Sequence, residues 1–231
     1  MSIFPTQYST LNASALGIYI AERYGFTDLS CRLLICNVSD TYILQDANDR
    51  YILKMNRDVH RKLAEIQGEV ELLQLLKEKN IGVAAPIANG TGNIIQQFQA
   101  AEGIRNGVLF EFAKGKAILL PNDQQLILIG RELAAMHNVT ANHTLRHPRI
   151  KYDGYTTLQR PLEIIATRFA ELPEEYEYLK MLAASTAKAL DELNPATFSY
   201  GICHYDYMPK NFHLDEHDRV TMFDFDWAGY G

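Results

Sequence analysis

Apolar residues change their spacing several times along the first half of the chain. Residues 9–24 carry them at helical intervals. Three short β-like runs follow at 32–36, 41–45 and 51–55, and turn-forming residues separate them. This pattern predicts a short N-terminal helix and then an antiparallel meander of three strands.

A second helix and two further strands are predicted next. Over 59–77 the apolar positions alternate three and four residues apart, which is typical of an amphipathic helix. Residues 94–99 and 108–112 are again β-like, and the Asn106-Gly107 pair beside them is a strong hairpin signal. We therefore predict five strands in this part of the chain, with Asn106-Gly107 in a turn.

Helical periods dominate the second half. They predict helices over 123–137 and 174–193, whereas 140–157 has no clear period and no element is predicted there. The change of pattern indicates an α+β fold with two lobes. The first lobe, residues 1–113, is β-rich, and the second, residues 114–231, is α-rich.

Composition narrows the class of protein. The 231 residues are 47% hydrophobic and 22% charged, which is typical of a globular chain and excludes a disordered one. The formal net charge of −6 argues against nucleic acid or an anionic membrane as the main partner. The chain has no signal-peptide pattern, no membrane-length apolar run and only three cysteines, without metal-ligand spacing. These features favour the reducing cytoplasm.

One segment near residue 210 combines residue types that suit phosphoryl transfer. It has the spacing His204-x-Asp206-x4-Asn211, followed by two short β-like runs with a turn-rich stretch between them. Asn211 directly precedes the first run and Asp224 directly follows the second, so antiparallel pairing returns both side chains to one end. An amide oxygen and a carboxylate at one point suit Mg²⁺. Asp206 beside them can accept a proton from an attacking hydroxyl, whereas His204 is expected to hold the loop by hydrogen bonds.

These residues resemble a known family. His204-x-Asp206-x4-Asn211, followed after a hairpin by Asp224-Phe-Asp226, resembles the catalytic and metal-binding segments of the aminoglycoside phosphotransferase and choline kinase family. Members of that family have a protein-kinase-like fold and act mainly on small molecules. The resemblance implies that Asn211, Asp224 and Asp226 hold Mg²⁺ and that Asp206 is the catalytic base.

Upstream segments extend the resemblance over most of the chain. Tyr51-Ile-Leu-Lys54 is similar to the family's lysine strand, and the helix that contains Glu69 is similar to its glutamate helix. The segment 108–115 is similar to the strand and linker whose backbone holds adenine. The resemblance thus implies that Lys54 contacts the phosphates of ATP. It places adenine against the linker residues Glu111, Phe112 and Ala113.

The glutamate that pairs with Lys54 is inferred from helix geometry. Glu69 lies three residues after Ile66, at the edge of the buried stripe, so it points towards the sheet. Glu71 is rotated about 140° from Ile66 and is expected in solvent. Glu65 is the second choice.

The chain departs from the family pattern in three ways. The family usually has glycine between its His and Asp, where this chain has Tyr205. No glycine-rich loop precedes the lysine strand, and the turn 37–41 takes that place, with Ser39 and Thr41 expected to contact the phosphates. Family members also continue past the Asp-x-Asp segment with several helices that complete the acceptor pocket. The second lobe is therefore predicted to be incomplete.

Together these observations predict an ATP- and Mg²⁺-dependent kinase that phosphorylates a hydroxyl group of a small molecule. A kinase-like nucleotide-binding module without turnover is the alternative, because Tyr205 replaces the usual glycine and the family's C-terminal helices are missing from the sequence. A haloacid-dehalogenase-like phosphatase is disfavoured, since its remaining catalytic elements would have to follow Asp226. A protein kinase is disfavoured because no activation segment follows Asp224.

Overall fold

Five antiparallel strands form the main sheet of the computed structural model, which describes residues 9–231. In chain order they are β1 (Ser30–Cys36), β2 (Ser39–Gln45), β3 (Arg50–Arg57), β4 (Ile95–Ala100) and β5 (Gly103–Glu111). Their order across the sheet is β1-β2-β3-β5-β4. This confirms the predicted meander and places β3 in the centre of the sheet.

Two helices pack on opposite faces of this sheet. Both faces carry side chains, because successive residues of a strand point to opposite sides. α1 (Ala13–Tyr24) packs on the face that carries Leu53 and Leu109. α2 (Leu63–Glu78) packs on the other face, against a core that contains Val108. Lys54 follows Leu53 in β3 and therefore lies on the α2 face.

The rest of the described chain is mainly helical and ends in short strands. The helices are α3 (Asp123–Thr140), α4 (Arg160–Ile165) and α5 (Pro173–Asp191), with a π-helical turn at Tyr155–Gln159 and 3₁₀ turns at Ala166–Phe169, Pro195–Thr197 and Phe225–Trp227. The strands are β6 (Ile202–Cys203), β7 (Phe212–Leu214), β8 (Val220–Met222) and β9 (Gly229–Tyr230). Both predicted long helices are confirmed within a few residues. No helix in residues 9–231 is long and apolar enough to cross a membrane.

The β7–β8 hairpin forms where the sequence predicts it, with Phe212 opposite Met222. It is joined to the segment after α2, because Met222 donates its N–H to the Gly82 carbonyl at 2.8 Å. It is also joined to the linker after β5 through a bridge between Lys116 and Leu214. The hairpin is therefore held against the segment after α2 and against the linker that leads from β5 to α3.

Gly82 permits this close approach, since a Cβ at Gly82 would overlap the Val220 carbonyl oxygen. We expect Gly82→Ala to lower the free energy of unfolding by roughly 2–3 kcal/mol, because backbone rather than a side chain must move. Gly130 in α3 is the matched control, since a Cβ there meets open space. Gly130→Ala should stabilise the protein by about 0.5–1 kcal/mol. Urea unfolding of the two variants checks the pair, and equal effects would contradict the packing described for Gly82.

The predicted turn at Asn106-Gly107 is wrong. Both residues lie inside β5, and the β4–β5 turn is at residues 101–102. Gly107 is required there by crowding, since a Cβ would come within 2.9 Å of Phe98 and 3.0 Å of Met55. Asn106 is buried and accepts a hydrogen bond from the side-chain amide of Gln97 at 3.1 Å. A dipeptide that suits a turn is used here for packing between strands.

Candidate active site

Asp206 lies in the loop between β6 and β7 and is held by its neighbours. The Asn211 side-chain amide donates to the Asp206 carbonyl oxygen at 2.8 Å and to its Oδ2 at 2.7 Å. The Lys210 ammonium lies 3.2 Å from the same Oδ2. The Asp206 side chain is 21% exposed, so this carboxylate is oriented and still open to an incoming group.

His204 holds this loop from the interior, as predicted. It is buried, and its Nε2–H donates to the Phe223 carbonyl at 3.1 Å while its Nδ1 accepts from the Asp206 N–H at 3.3 Å. These two bonds require the neutral ring with the proton on Nε2. Burial lowers the pKa of His204, which favours the same neutral form. His204 thereby links the loop to the end of the hairpin.

Lys54 meets two aspartates at the end of that hairpin. Its ammonium lies 2.6 Å from Asp224 Oδ1 and 2.8 Å from Asp226 Oδ2. Burial acts to lower the pKa of Lys54, but the nearby carboxylates of Glu69, Asp226 and Asp224 outweigh it and raise the pKa above its ordinary value. Lys54 is therefore a buried and permanently charged ammonium between the residues that were predicted to hold a metal.

Glu69 belongs to the same group of charges. It is buried on α2, and burial together with the charge of Asp226 raises its pKa. The ion pairs of Lys54 itself are with Asp224 and Asp226 rather than with Glu69, because the two aspartates reach the ammonium from one turn. Glu65, the second choice, is used elsewhere: its side chain accepts from the Lys62 N–H at 2.8 Å and caps α2.

The expectation that Glu71 lies in solvent is wrong. Its carboxylate accepts hydrogen bonds from the backbone N–H groups of Arg146 and His147, at 3.0 and 3.1 Å, and from both side chains. The side chain is 15% exposed. Burial acts to raise the pKa of Glu71, but these hydrogen bonds lower it to about 2. Glu71 thus fastens the segment after α3 to α2.

This contact predicts a pH-dependent stability. A carboxyl group with a depressed pKa in the folded state stabilises the fold above its ordinary pKa of 4.5, and the contribution disappears as the pH falls towards about 2. Wild type should exceed Glu71→Gln at pH 7 by on the order of 2 kcal/mol in free energy of unfolding, and the difference should shrink below pH 4.5. Urea unfolding between pH 7 and pH 3 measures it. Glu78→Gln, at an exposed position of α2, is the control, and an undiminished difference at pH 3 would contradict the assignment.

The candidate metal site contains a buried carboxylate oxygen without a hydrogen-bond donor among the described residues. Asp226 Oδ1 is buried and accepts no hydrogen bond within the described residues, and Arg61 Nε lies 3.7 Å from it. The N–H of Phe223 donates to the Asn211 carbonyl at 2.9 Å, so Asn211 and Asp224 occupy facing positions at the open end of the hairpin. Two carboxylates and one amide fit a hard cation such as Mg²⁺, which takes its other ligands from water and substrate.

Across residues 9–231, no group of three or more His, Cys, Asp and Glu side chains could hold a metal alone. The candidate ligand set therefore includes the side-chain amide of Asn211 beside the carboxylates of Asp224 and Asp226. This is the arrangement expected when a cation is held jointly by protein and nucleotide.

The turn between β1 and β2 is shorter than predicted, because Ser39 and Thr41 lie in β2 rather than in the turn. Thr41 pairs directly opposite Lys54, so the two side chains share a face of the sheet, and Ser39 is two residues away on that face. Arg57 donates to the Asn37 and Val38 carbonyls, at 2.5 and 2.9 Å, and fixes the turn itself.

The linker after β5 runs along the other side of the site. Glu111 forms an ion pair with Lys77 at 2.8 Å near the surface. The Arg50 guanidinium lies 4.0 Å from the ring centre of Phe112. The Ala113 carbonyl accepts a hydrogen bond from the His213 Nδ1–H at 2.7 Å. The predicted linker therefore lies beside β7, close to the hairpin that carries the aspartates.

Comparison with known sequences decides the family. A sequence model of the phosphotransferase enzyme family matches residues 37–231, which is most of the chain. The chain belongs to this family. The match begins at the β1–β2 turn and includes every residue discussed above for the site.

Individual relatives cover nearly the whole of this chain. An uncharacterised protein of Deinococcus radiodurans is 32% identical over 99% of this chain and 66% of its own length. Amicoumacin kinase of Bacillus subtilis is 27% identical over 91% of this chain and 62% of its own length. The chain spans about two thirds of the length of the curated relatives it matches.

A solved phosphotransferase shares the fold. The structure of amicoumacin kinase hAmiN, in complex with AMP-PNP, Ca²⁺ and Ami, matches with a TM-score of 0.77 and 24% sequence identity. The match covers 94% of this chain and 65% of that one. The predicted α+β, protein-kinase-like fold class is confirmed.

The structure also shows the backbone conformation at Tyr205, where the family usually has glycine. Tyr205 has a φ of 62°, in the left-handed region where glycine is favoured. Its ring stacks on Tyr152 with a centroid distance of 3.6 Å, a contact that offsets part of the backbone strain. Asp224 has a similar φ of 63°, which aspartate tolerates more readily.

Three cations of the site are not predicted from the sequence. They are Arg61 beside Asp226, Lys210 beside Asp206, and the buried Arg149. Lys210 could have been found, because it lies four residues after Asp206. Arg149 lies in the stretch without a period and contacts backbone carbonyls, so no side-chain pattern marks it.

Proposed function

We propose that the protein is an ATP- and Mg²⁺-dependent kinase that phosphorylates a hydroxyl group of a small molecule. One observation carries the proposal: the buried ammonium of Lys54 meets Asp224 and Asp226 next to an Asp206 carboxylate that Asn211 holds in place. A charged lysine, a pair of aspartates and an oriented, accessible carboxylate are the groups that phosphoryl transfer requires.

The first part of the proposed mechanism is nucleotide binding. Lys54 binds the α- and β-phosphates, and Ser39 and Thr41 on the neighbouring strand contact the phosphates from the same face. Adenine lies against the backbone of Glu111, Phe112 and Ala113. In this proposal residues 1–113 are the nucleotide-binding lobe, and residues 114–231 supply the catalytic loop and the metal-binding hairpin.

The second part is the handling of charge. Asn211, Asp224 and Asp226 would hold Mg²⁺, and the bound cation would neutralise charge on the phosphate oxygens. Lys54 exchanges its aspartate partners for phosphate oxygens, and Glu69 remains as a buried counter-charge near its ammonium. The phosphate oxygens thus replace the negative charges of the aspartates, and the Lys54 ammonium keeps negatively charged neighbours.

The third part is acceptor activation. Asp206 accepts the proton of the acceptor hydroxyl as its oxygen attacks the γ-phosphate. Asn211 donates to Asp206 Oδ2 and so orients the carboxylate, and the Lys210 ammonium near that oxygen offsets its negative charge. Positioning and charge neutralisation supply most of the rate in this class of reaction.

The relatives support a small-molecule acceptor and a divalent cation. Amicoumacin kinase is among the relatives, and a solved amicoumacin kinase holds AMP-PNP and Ca²⁺. We take amicoumacin and smaller amino alcohols as the first acceptors to test. A cytoplasmic location would give such an enzyme its ATP.

A second candidate is a nucleotide-binding module without turnover. The observation that favours it is the left-handed conformation of Tyr205, a bulky residue next to Asp206. Calorimetric titration with AMP-PNP, with and without Mg²⁺, followed by ADP release across a panel of hydroxylated acceptors, separates the two. Mg²⁺-dependent binding with acceptor-stimulated ADP release supports the kinase. Binding without stimulation by any acceptor supports the module, and no binding contradicts both.

A further inference from the structure

Arg149 is a buried cation that contacts four backbone carbonyls on two separate elements. Its Nε donates to Ala228 at 2.8 Å, and its Nη2 donates to Phe225 at 2.6 Å and to Asp226 at 2.8 Å. Its Nη1 donates to Glu65 in α2 at 3.0 Å. Three of these acceptors belong to the turn that carries Asp226.

The segment that carries Arg149, residues 146–149, contacts α2 at further points. Glu71 binds the backbone of Arg146 and His147, as described above. At Gly68 a Cβ would come within 2.8 Å of the Pro148 carbonyl oxygen and 2.9 Å of Arg149 Cδ. Glycine at this position therefore allows the arginine stem to cross α2 next to Glu69.

The contacts of Arg149 connect two parts of the chain that each contribute charged side chains to the site. Glu69 is on α2, whereas Asp224 and Asp226 are on the turn after β8. Beyond Arg149 itself, the turn is held through the Trp227 carbonyl, which accepts from the Tyr152 hydroxyl at 2.7 Å. Arg149 is thus a direct side-chain connection between the helix of Glu69 and the turn of Asp226.

We propose that Arg149 is a positioning residue for the divalent cation: it fixes the Asp224–Asp226 turn relative to α2 and thereby sets the affinity of the site for the metal. This inference rests on the proposed function. Arg149 contacts the aspartate turn through the backbone carbonyls of Phe225, Asp226 and Ala228, so its effect on the cation is exerted through the position of Asp224 and Asp226.

Arginine is suited to this position by its geometry. A planar guanidinium offers five N–H donors in a rigid fork, enough to meet carbonyls on two elements at once. Lysine offers a single ammonium on a flexible stem and can replace only part of this set. Methionine matches the stem but leaves the buried carbonyls without a donor, which is unfavourable.

The test compares Arg149→Met and Arg149→Lys with Arg146→Met as a matched control. Arg146 lies on the same segment, is 83% exposed and contacts Glu71 rather than the turn. Two readouts are measured on the full chain: binding of Mn²⁺ to the AMP-PNP complex, from the electron paramagnetic resonance of free Mn²⁺, and hydrogen exchange of the amides at 225–228. AMP-PNP affinity without metal is measured alongside.

Arg149→Met should weaken Mn²⁺ binding by about 10- to 100-fold, the usual range for a residue that orients metal ligands. Arg149→Lys should fall between Arg149→Met and wild type, and Arg146→Met should stay within about twofold of wild type. Exchange at 225–228 should accelerate selectively, while β2 and β3 keep their protection. AMP-PNP affinity without metal should be little changed.

Unchanged Mn²⁺ affinity in Arg149→Met, or faster exchange spread evenly over the chain, would overturn the inference and leave Arg149 as a general stabilising residue. If Arg149→Met does not fold, Gly68→Ala displaces the arginine without removing it and must give the same selective loss. Failure of the wild type to bind Mn²⁺ with AMP-PNP would contradict the proposed function instead. Normal wild-type binding with unaltered variants contradicts the inference alone.

Discussion

Asp206→Asn should lower acceptor-dependent ADP release by about 10²- to 10⁴-fold, the usual contribution of a general base. Asparagine retains an oxygen that can accept the Asn211 hydrogen bond, so the loop should keep its shape. The substitution removes the group that takes the proton and the charge that faces Lys210. AMP-PNP affinity should change little, because Asp206 is placed on the acceptor side of the site.

The control for this experiment is Asp218→Asn. Asp218 is exposed in the β7–β8 turn and has a φ of 58°, a conformation that asparagine also tolerates. It should release ADP at the wild-type rate. Equal rates for Asp206→Asn and wild type, with Asp218→Asn also normal, would show that Asp206 is not the base.

Lys54→Met should affect both activity and stability. Turnover is expected to fall by about 10²- to 10³-fold, since an electrostatic contact to the transferring group is lost. The free energy of unfolding should fall by about 3–5 kcal/mol, because the buried carboxylates of Asp226 and Glu69 lose their counter-charge. Lys77→Met removes an exposed ion pair with Glu111 and should cost less than about 1 kcal/mol.

A double variant separates the two effects of Lys54. In Lys54→Met/Asp226→Asn one buried charge is removed together with its partner, so urea unfolding should show that much of the stability returns. Turnover should not return, because both the phosphate contact and a metal ligand are absent. Recovery of turnover in the double variant would contradict the roles given to Lys54 and Asp226.

The features that the sequence predicted well depend on contacts between near neighbours. The β7–β8 hairpin follows from two β-like runs and a turn, and its pairing alone brings Asn211 and Asp224 together. The meander of β1, β2 and β3 follows from three β-like runs with turn-forming residues between them, although Ser39 and Thr41 lie in β2 rather than in the turn. Short-range patterns of this kind are visible because each residue's partner lies a few positions away in the same motif.

The features that the sequence missed depend on partners far along the chain. Gly107 looks like a turn residue, but its neighbours Phe98 and Met55 on adjacent strands require the small side chain. Glu71 looks solvated from the helix alone, because its hydrogen-bond donors are about 75 residues away. Arg149 binds carbonyls, which every residue has, so its role could be found only from coordinates.

The ion pairs of Lys54 were predicted only in part from the sequence. Helix geometry predicts Glu69 as the partner of Lys54; Glu69 is buried and its charge helps to raise the pKa of Lys54, but it does not take the direct ion pair. Helix geometry could not predict that Asp224 and Asp226 would take the direct contacts, since that depends on how the turn after β8 is held. The same turn is the one that Arg149 binds.

The most direct test of the central claim is transfer of label from [γ-³²P]ATP to a small acceptor, in the presence of Mg²⁺. Wild type is compared with Asp206→Asn, and the product is treated with alkaline phosphatase. We predict a labelled, phosphatase-sensitive acceptor with wild type and at most a trace with Asp206→Asn. Label found only in inorganic phosphate, or equal labelling by both proteins, would contradict the assignment of Asp206 and its neighbours as a hydroxyl-directed kinase site.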